Sequence, residues 1–323
     1  MHAVRLHAFG PAENLVHEEV ADPVPGPGQA RIAVAAAGVH LLDAAVREGH
    51  QGPLPELPSL PTVPGREVAG VVDAVGADVD GSWLGRRVVA HLGMAPGGYA
   101  ELAVTEAERL HGLPEGLDFA AAVAAIGTGR TALGIVQFAE PGPRDVVIVP
   151  AAAGGIGTLL VQYAKNAGAL VVGLAGGPEK TARVRANGAD LAVDYTAPDW
   201  PDAVRAYLGG RAATIVYDGV GGTVARETVA LLGPGGRHLV FGWSAEGIGM
   251  GRGYFVEGVS QSVLGPAMLQ KAGGLRALEL RALDEVVRGR LRPAVTRFPL
   301  AEAAAAHRAL ERRGTVGKVV LEP

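Results

Sequence analysis

The residues best placed by type and spacing to do chemistry lie in a run of very small side chains. Ala151, Ala152 and Ala153 lead into Gly154, Gly155, Ile156 and Gly157, directly after the apolar, β-branched run 146–149. Leu159, Leu160, Tyr163, Ala164 and Ala167 then recur at helical spacing until Gly168, where a helix would stop. Residues 169–174 read as a second buried strand. Strand, glycine turn, helix and strand make a right-handed βαβ unit, and the first turn of its helix can present backbone N–H groups to a diphosphate. The spacing Ala151-x-x-Gly154-x-x-Gly157 is a variant of the dinucleotide fingerprint, with alanine where the first glycine usually stands. A tight βα turn holding no ligand would use the same small residues.

The end of the second strand sets the choice of nicotinamide cofactor. Binders of NAD place Asp or Glu there to hold the ribose 2′-OH. This chain has Ala175-Gly176-Gly177, then Pro178-Glu179-Lys180, with Arg183 one turn on. No carboxylate opposes a 2′-phosphate at the strand end, and Lys180 and Arg183 can neutralise one, so NADPH is expected over NADH. Glu179 would reverse that preference if it faced the ribose in place of Lys180.

These residues must be carried by two kinds of scaffold. Residues 1 to about 120 show turn signals at short intervals between β-branched runs such as 31–35 and 68–75, which predicts a partly open β domain with a loop-borne site. From Asp118 the pattern changes. Helices are expected over 119–126, 132–138, 201–208 and 223–231, alternating with strands over 189–193, 214–217 and 237–241, which together with the βαβ unit make a doubly wound parallel sheet. After Gly258 come an amphipathic helix over 275–288, whose charges read as a solvated face, a helix over 301–312 and a last strand over 318–321. That end is expected to return to the first domain.

Composition excludes several classes. The 323 residues carry 48% hydrophobic and 19% charged side chains and a net charge of −4, and no basic run appears, so nucleic acid is not an expected partner. There is no cysteine, which removes disulfides, thiolate catalysis and every cysteine-based zinc site. The first residues lack the apolar core of a signal peptide, and no apolar span of membrane length is read elsewhere; a cytoplasmic location without a membrane partner is the default expectation.

Taken in order, the motifs Gly38-Val39-His40-Leu41-Leu42-Asp43, Pro64-Gly65-Arg66-Glu67-Val68-Ala69-Gly70, Gly85-Arg86-Arg87-Val88, Gly97-Gly98-Tyr99-Ala100-Glu101, the βαβ turn, Tyr217-Asp218-Gly219-Val220-Gly221 and Gly314-Thr315-Val316-Gly317-Lys318-Val319-Val320-Leu321 resemble the medium-chain dehydrogenase/reductase superfamily along the whole chain. Within it the chain resembles the zinc-independent, zeta-crystallin-like quinone oxidoreductases. The resemblance implies an α/β protein: a GroES-like, partly open β-barrel catalytic domain over 1–121 and 263–323, and a Rossmann-type doubly wound domain over 122–262. It also implies a homodimer whose cofactor-domain sheets meet edge to edge.

The places that hold catalytic zinc in the metal-dependent relatives look like His40, Arg66 and Gly127 here. A guanidinium has no free lone pair, so no metal is expected. Hydride can still pass from a nicotinamide to a quinone or an α,β-unsaturated ketone, because conjugation spreads the incoming charge. By resemblance, Gly154, Gly155, Ile156 and Gly157 bind the diphosphate, Gly176 lies at the adenosine ribose, and Lys180, Tyr195 and Arg313 hold the 2′-phosphate. Thr131, Val220, Phe241, Gly242 and Trp243 line the nicotinamide end, and Lys318 also reaches the cofactor. Tyr195 as an ordinary strand-end aromatic and Arg313 as a solvated helix end are the rival readings.

His40 stands where quinone reductases commonly have Asn. It is the candidate for the hydrogen bond to the acceptor or for the proton that follows the hydride, against the alternative of a structural histidine. His50 and Gln51 fall on the loop expected to roof the pocket, and Asp43 is expected to fix loop backbone. The expected activity is an NADPH-dependent reduction of a quinone or enone. An enoyl reductase of a biosynthetic intermediate, a non-catalytic NADPH-binding protein and a zinc alcohol dehydrogenase are the competing readings.

Overall fold

The structure is a computed structural model that describes residues 1–52, 54–93, 96–246 and 253–323. The chain divides into two compact units, Met1–Gly127 with Ala294–Pro323, and Thr128–Pro293.

The first unit is organised on the strand Gln29–Val39. Ala30, Ile32 and Val34 alternate with more accessible residues along its first half, and from Ala36 onward every residue is buried. It runs antiparallel to Glu67–Val75 on one side. On the other it pairs with Leu102–Glu106 along its first half and with Lys318–Glu322 along its last residues. Arg87–His91 and Leu110–Gly112 extend one edge, and Val295–Pro299 extends the other in parallel. Bulges at Arg31/Ile32 and Val34/Ala36 bend the strand, and the sheet curls into a GroES-like, partly open barrel around Ile32, Val68, Val72, Val88, Leu110 and Leu321.

The second unit holds a six-stranded parallel sheet in the order Leu191–Asp194, Leu170–Ala175, Val146–Val149, Ala213–Asp218, Leu232–Val240, Ser260–Ser262. The order reverses between Val146–Val149 and Ala213–Asp218, and at that switch point an open α/β sheet leaves a crevice beyond the carboxyl ends of its strands. Val146, Val147, Ile148 and Val149 are all buried because helices cover both faces, which is why the run is continuous rather than alternating. The helix Gly155–Asn166 follows, with Leu159, Leu160, Val161 and Ala164 turned to the sheet, and it stops at Gly168, whose φ of +86° suits a residue without a Cβ.

Three sequence expectations are corrected. The domain boundaries fall at 127/128 and 293/294, not at 121/122 and 262/263. Residues 263–293 pack in the second unit, where the helices Pro266–Ala272 and Leu275–Val287 lie on Arg130–Val136. Met268 fills the space over Gly134, Leu278, Ala282 and Leu291 join the core beneath, and Arg130 meets the buried Glu279 at 2.8 Å. The charges of Leu275–Val287 thus mark a solvated face with one exception, and the apolar side of that helix commits the segment to the second unit. Likewise, the two helices expected over 119–138 form one helical run, Phe119–Val136, whose turns over Ala125–Gly129 are π-helical. Those 18 residues are long and apolar enough to span a membrane by composition, contrary to the sequence reading, but 72% of them are buried inside the fold, as in a core helix.

Replacing Ile148, fully buried mid-strand in the central position of the parallel sheet, with Ala should destabilise the protein by about 2–5 kcal/mol through the cavity left behind. A urea unfolding curve of Ile148→Ala with the wild-type midpoint would contradict this packing.

Candidate active site

At the end of Val146–Val149 the chain turns sharply. Ala151 has φ +50°, a left-handed conformation that costs a residue with a Cβ on the order of 1 kcal/mol, and it stands where glycine is usual. The strain is held by its surroundings: Ala152 N–H donates to Leu174 at 2.9 Å and Gly154 N–H to Ala151 at 2.9 Å. A Cβ at Gly157 would collide with the Ala151 carbonyl, so only glycine lets the helix start this close to the turn. The first intrahelical bond is Thr158 N–H to Gly154 at 2.9 Å, which places the N–H groups of Gly155, Ile156 and Gly157 in the unpaired first turn. Positive helix end, small side chains and close backbone approach together fit a diphosphate.

One strand over, Gly176 sits against Tyr195 and Thr196: a Cβ there would be 3.8 Å from the Tyr195 hydroxyl and 3.4 Å from Thr196 Cγ2. Gly177, at φ +84°, opens the helix Pro178–Ala186, which carries Lys180 half buried in its first turn. Glu179 is exposed and turned toward Arg183 at 3.7 Å. A carboxylate that the sequence reading did not weigh, Asp194, also lies here. It accepts from Gly177 N–H and from Thr196 N–H and Oγ1 at 3.0 and 2.6 Å, bonds that hold its carboxyl below the usual range. Asp194 is therefore the clamp of this corner. An open cleft lined by Tyr195, Thr196, Trp200, Arg205, Thr223 and Glu227 adjoins it.

The third corner of the second unit is the loop after Ala213–Asp218. Fully buried Asp218 accepts from Val220 N–H at 2.8 Å and Gly221 N–H at 3.1 Å. The side chain of Phe241 lies on Gly219, the Gly242 backbone backs onto the Gly219 carbonyl, and Trp243 abuts Gly221. Val220, Phe241, Gly242 and Trp243 are thus one cluster, while Thr131 is half buried on Arg130–Val136. His238, unremarked in the sequence, completes this corner with Nε2 at 3.2 Å from Asp218 and Nδ1 at 2.8 Å from Ser260 Oγ.

In the first unit His40 ends the central strand and precedes the helix Leu41–Arg47. Its Nε2 is 2.6 Å from Glu67 Oε2 and 2.6 Å from Lys318 Nζ, and Nζ is 3.2 Å from the same carboxylate oxygen. Glu67 and Lys318 have 1% and 2% of their side-chain surface exposed, whereas His40 keeps 25%. Gly38 and Gly127 make room: a Cβ at Gly38 would be 2.9 Å from Glu67 Oε2 and 3.0 Å from Lys318 Cε, and one at Gly127 would collide with the Glu67 carboxylate. Lys318 thus directs its amino group inward to Glu67 and His40, where the sequence reading aimed it at a cofactor. Glu67 was legible as a charge inside a β-branched strand, which demands a partner.

Asp43 anchors the loop, as expected, by accepting from His40 N–H at 2.8 Å, and it lies 4.0 Å from Arg66. It also receives the Tyr99 hydroxyl at 3.2 Å, whose oxygen is 3.1 Å from His307 Nε2. One direction satisfies this chain: His307 donates to Tyr99 and Tyr99 donates to Asp43. Burial, then the charge of Asp43, pushes the Tyr99 phenol well above its ordinary value, and burial lowers His307 from 6.5 to about 4. Gln51 donates to Leu54 and Pro55 within its own loop, and His50 lies 3.8 Å from Glu48. Arg313 is an exposed residue at φ +56° past the helix Ala303–Glu311. Among the described residues, no group of three or more His, Cys, Asp or Glu could hold a metal ion.

Known families match both units. Residues 26–115 match the alcohol dehydrogenase GroES-like domain and residues 155–273 the family described as zinc-binding dehydrogenase. A chain that carries a barrel of the first kind and a parallel sheet of the second is a medium-chain dehydrogenase/reductase, and hence an oxidoreductase. The chain is 33% identical to a 2-haloacrylate reductase of Burkholderia sp over 99% of its length and 98% of that protein's, and 33% identical to the quinone oxidoreductase of Pseudomonas aeruginosa over 99% of both. The Escherichia coli quinone oxidoreductase solved in complex with NADPH superposes with a TM-score of 0.85 at 26% identity, covering all of both chains. The protein belongs to the quinone oxidoreductase family of this superfamily.

His307 generates a pH dependence. Its folded value of about 4 lies below the 6.5 of the unfolded chain, so the unfolded state binds more protons between them, and stability is full above about 6.5 and lost as pH falls toward 4. The loss should be on the order of 3 kcal/mol. Urea midpoints measured across that window should fall less steeply for His307→Gln than for wild type; equal slopes would remove His307 as the cause.

Proposed function

We propose that the protein is an NADPH-dependent reductase of conjugated carbonyl acceptors, quinones or α,β-unsaturated compounds, that works without zinc. NADPH, when bound, supplies a hydride. Gly154, Gly155, Ile156 and Gly157 hold its diphosphate through backbone N–H groups. Lys180 and Tyr195 hold the 2′-phosphate beside Gly176, where Glu179 is turned to Arg183 and the Asp194 carboxylate is engaged by Gly177 and Thr196. Thr131, Val220, Phe241, Gly242 and Trp243 shape the nicotinamide end.

The observation that carries the reading is the donor set around His40. Where zinc relatives collect metal ligands, this chain has an imidazole in contact with an ammonium and a carboxylate. Such a set can donate hydrogen bonds and a proton to an acceptor oxygen that becomes negative as hydride arrives. A conjugated acceptor needs no stronger electrophile, whereas an alkoxide does. The P. aeruginosa relative is named for quinones and the Burkholderia relative for a haloacrylate, both conjugated acceptors, which supports the class without choosing within it. A homodimer through the sheet edge at Ser260–Ser262, flanked by exposed Leu264, completes the reading; sedimentation of the purified chain as a monomer would remove it.

NADPH oxidation should be detected with a panel of ortho- and para-quinones and simple enones, and His40→Ala should lower kcat/KM by about 100-fold. Wild-type turnover by that variant would take His40 out of the chemistry. Lys180→Glu should cut the preference for NADPH over NADH by about tenfold or more, through loss of a charge-assisted contact and gain of a repulsive one. Unchanged NADPH affinity would refute the phosphate assignment.

A further inference from the structure

The first unit holds a cavity of about 250 Å³ between the helix Leu41–Arg47 and the loop that leads from Leu54 to Arg66. Leu6, Leu42, Val46, Leu54, Leu57 and Pro64 give it mostly apolar walls, which also carry Asp43, Arg47, Glu56 and Arg66. These charges are not equally engaged. Asp43 accepts from His40 N–H at 2.8 Å and from the Tyr99 hydroxyl at 3.2 Å, and Glu56 is exposed to solvent. Arg47 pairs with Glu48 and Glu311, although its buried Nε has no hydrogen-bond partner among the described residues. Arg66 keeps 18% of its side chain exposed and meets Asp43 at 4.0 Å, a separation that an ion pair tolerates and a hydrogen bond does not. Among the described residues the Arg66 guanidinium makes no hydrogen bond, so its planar fork of N–H donors is unused.

We infer that this cavity selects acceptors that carry a carboxylate and that Arg66 is the residue that reads it, an inference that rests on the reductase activity proposed above. A guanidinium stays protonated and meets a carboxylate with two parallel N–H bonds, a geometry that a lone ammonium does not offer. Apolar walls strengthen the contact, because a charge pair withdrawn from water is screened less than an exposed one. The volume sets the size of the ligand: sites for drug-sized molecules run to about 300–1,000 Å³, so this cavity fits a short unsaturated acid. Asp43 ties the cavity to the His40 corner, since the carboxylate that accepts His40 N–H is the one that stands 4.0 Å from Arg66. It also limits the charge admitted. A second carboxylate on the ligand would meet Asp43 and Glu56, so a monoacid is favoured over a diacid. The acceptor keeps its carboxylate throughout the reduction, and the contact with Arg66 is therefore equally present before and during hydride transfer. Such uniform binding acts on KM and not on kcat, which makes Arg66 a specificity residue.

The test pairs trans-4-oxo-2-pentenoate with its methyl ester, two enones that differ in charge at one end. Arg66→Gln should lower the ratio of kcat/KM for the acid to that for the ester by about tenfold or more, with the change in the KM of the acid. Arg66→Lys keeps the charge beside Asp43 but loses the fork, and should lower the ratio by about threefold; it carries the comparison should Arg66→Gln unfold. A readout free of turnover is calorimetric titration of the NADP-loaded protein with 4-oxopentanoate, which has no conjugated double bond to accept hydride. Wild type should bind it saturably, and Arg66→Gln, at a melting temperature near wild type, about tenfold or more weakly. An acid-to-ester ratio that is the same in wild type and both variants, or 4-oxopentanoate affinities equal in all three, would overturn the assignment. Wild-type protein inert toward every quinone and enone, yet binding 4-oxopentanoate in a manner that depends on Arg66, would uphold the cavity and defeat the parent activity, so the two failures are told apart.

Discussion

A lysine ammonium and a glutamate carboxylate, both almost without solvent, face each other 3.2 Å apart at the end of the barrel's central strand, and much of the first unit is arranged around that pair. Removing one partner would leave an uncompensated buried charge, a change worth about 3–5 kcal/mol in comparable pairs. The chain therefore returns from Ala294 onward to lay Lys318–Glu322 against Gln29–Val39, with Lys318 N–H bonded to the Ala294 carbonyl at 2.8 Å. Gly317, at φ +72°, presses on Ala294 too closely to carry a side chain, and Gly38 and Gly127 are bare where the carboxylate and the lysine stem need space. Three glycines far apart in sequence are thus explained by one ion pair.

The nucleotide turn follows a different economy, in which strain is local and the backbone is the reagent. Ala151 keeps a left-handed conformation that glycine would adopt freely, and the surrounding bonds from Ala152 and Gly154 hold it there. What the turn secures is proximity: the helix begins against its own preceding strand, so the first-turn N–H groups converge on one point. Side chains enter only at the margins, where Asp194 ties Gly177 to Thr196 and Asp218 ties Val220 and Gly221. Both aspartates sit at carboxyl ends of parallel strands and spend their charge on backbone N–H groups, which fixes loop shape before any ligand arrives.

The sheet was legible in the sequence because its strands are buried on both faces and so read as unbroken apolar runs, and because Gly154 and Gly157 mark the turn between periodicities. The domain boundary was not. Nothing in the periodicity of residues 275–288 says which unit their apolar side will cover; that is decided by Gly134, which admits Met268, and by the Arg130–Glu279 pair, neither visible locally. The site was legible in part. His40 was identifiable from its place in a motif, but its partners Glu67 and Lys318 lie 27 and 278 positions away, and no spacing rule connects them. The contacts of Lys318 with Glu67 and His40 were not legible for the same reason; the resemblance implied only that Lys318 reaches the cofactor.

Each unit also contains a hydrogen-bond chain that runs in one direction. In the first, His307 donates to Tyr99, Tyr99 to Asp43, and Asp43 receives the backbone of His40. In the second, Val256 N–H donates to Ser260, Ser260 to His238, and His238 to Asp218, which receives the loop at Val220 and Gly221. Each chain has a histidine as its link and an aspartate as its sink, and burial keeps His307 toward its neutral form. These chains therefore act as orienting devices rather than proton paths, since every hydrogen in them already has a fixed acceptor. The cluster at His40 differs on this point: its two short contacts, to Glu67 and to Lys318, compete for one nitrogen.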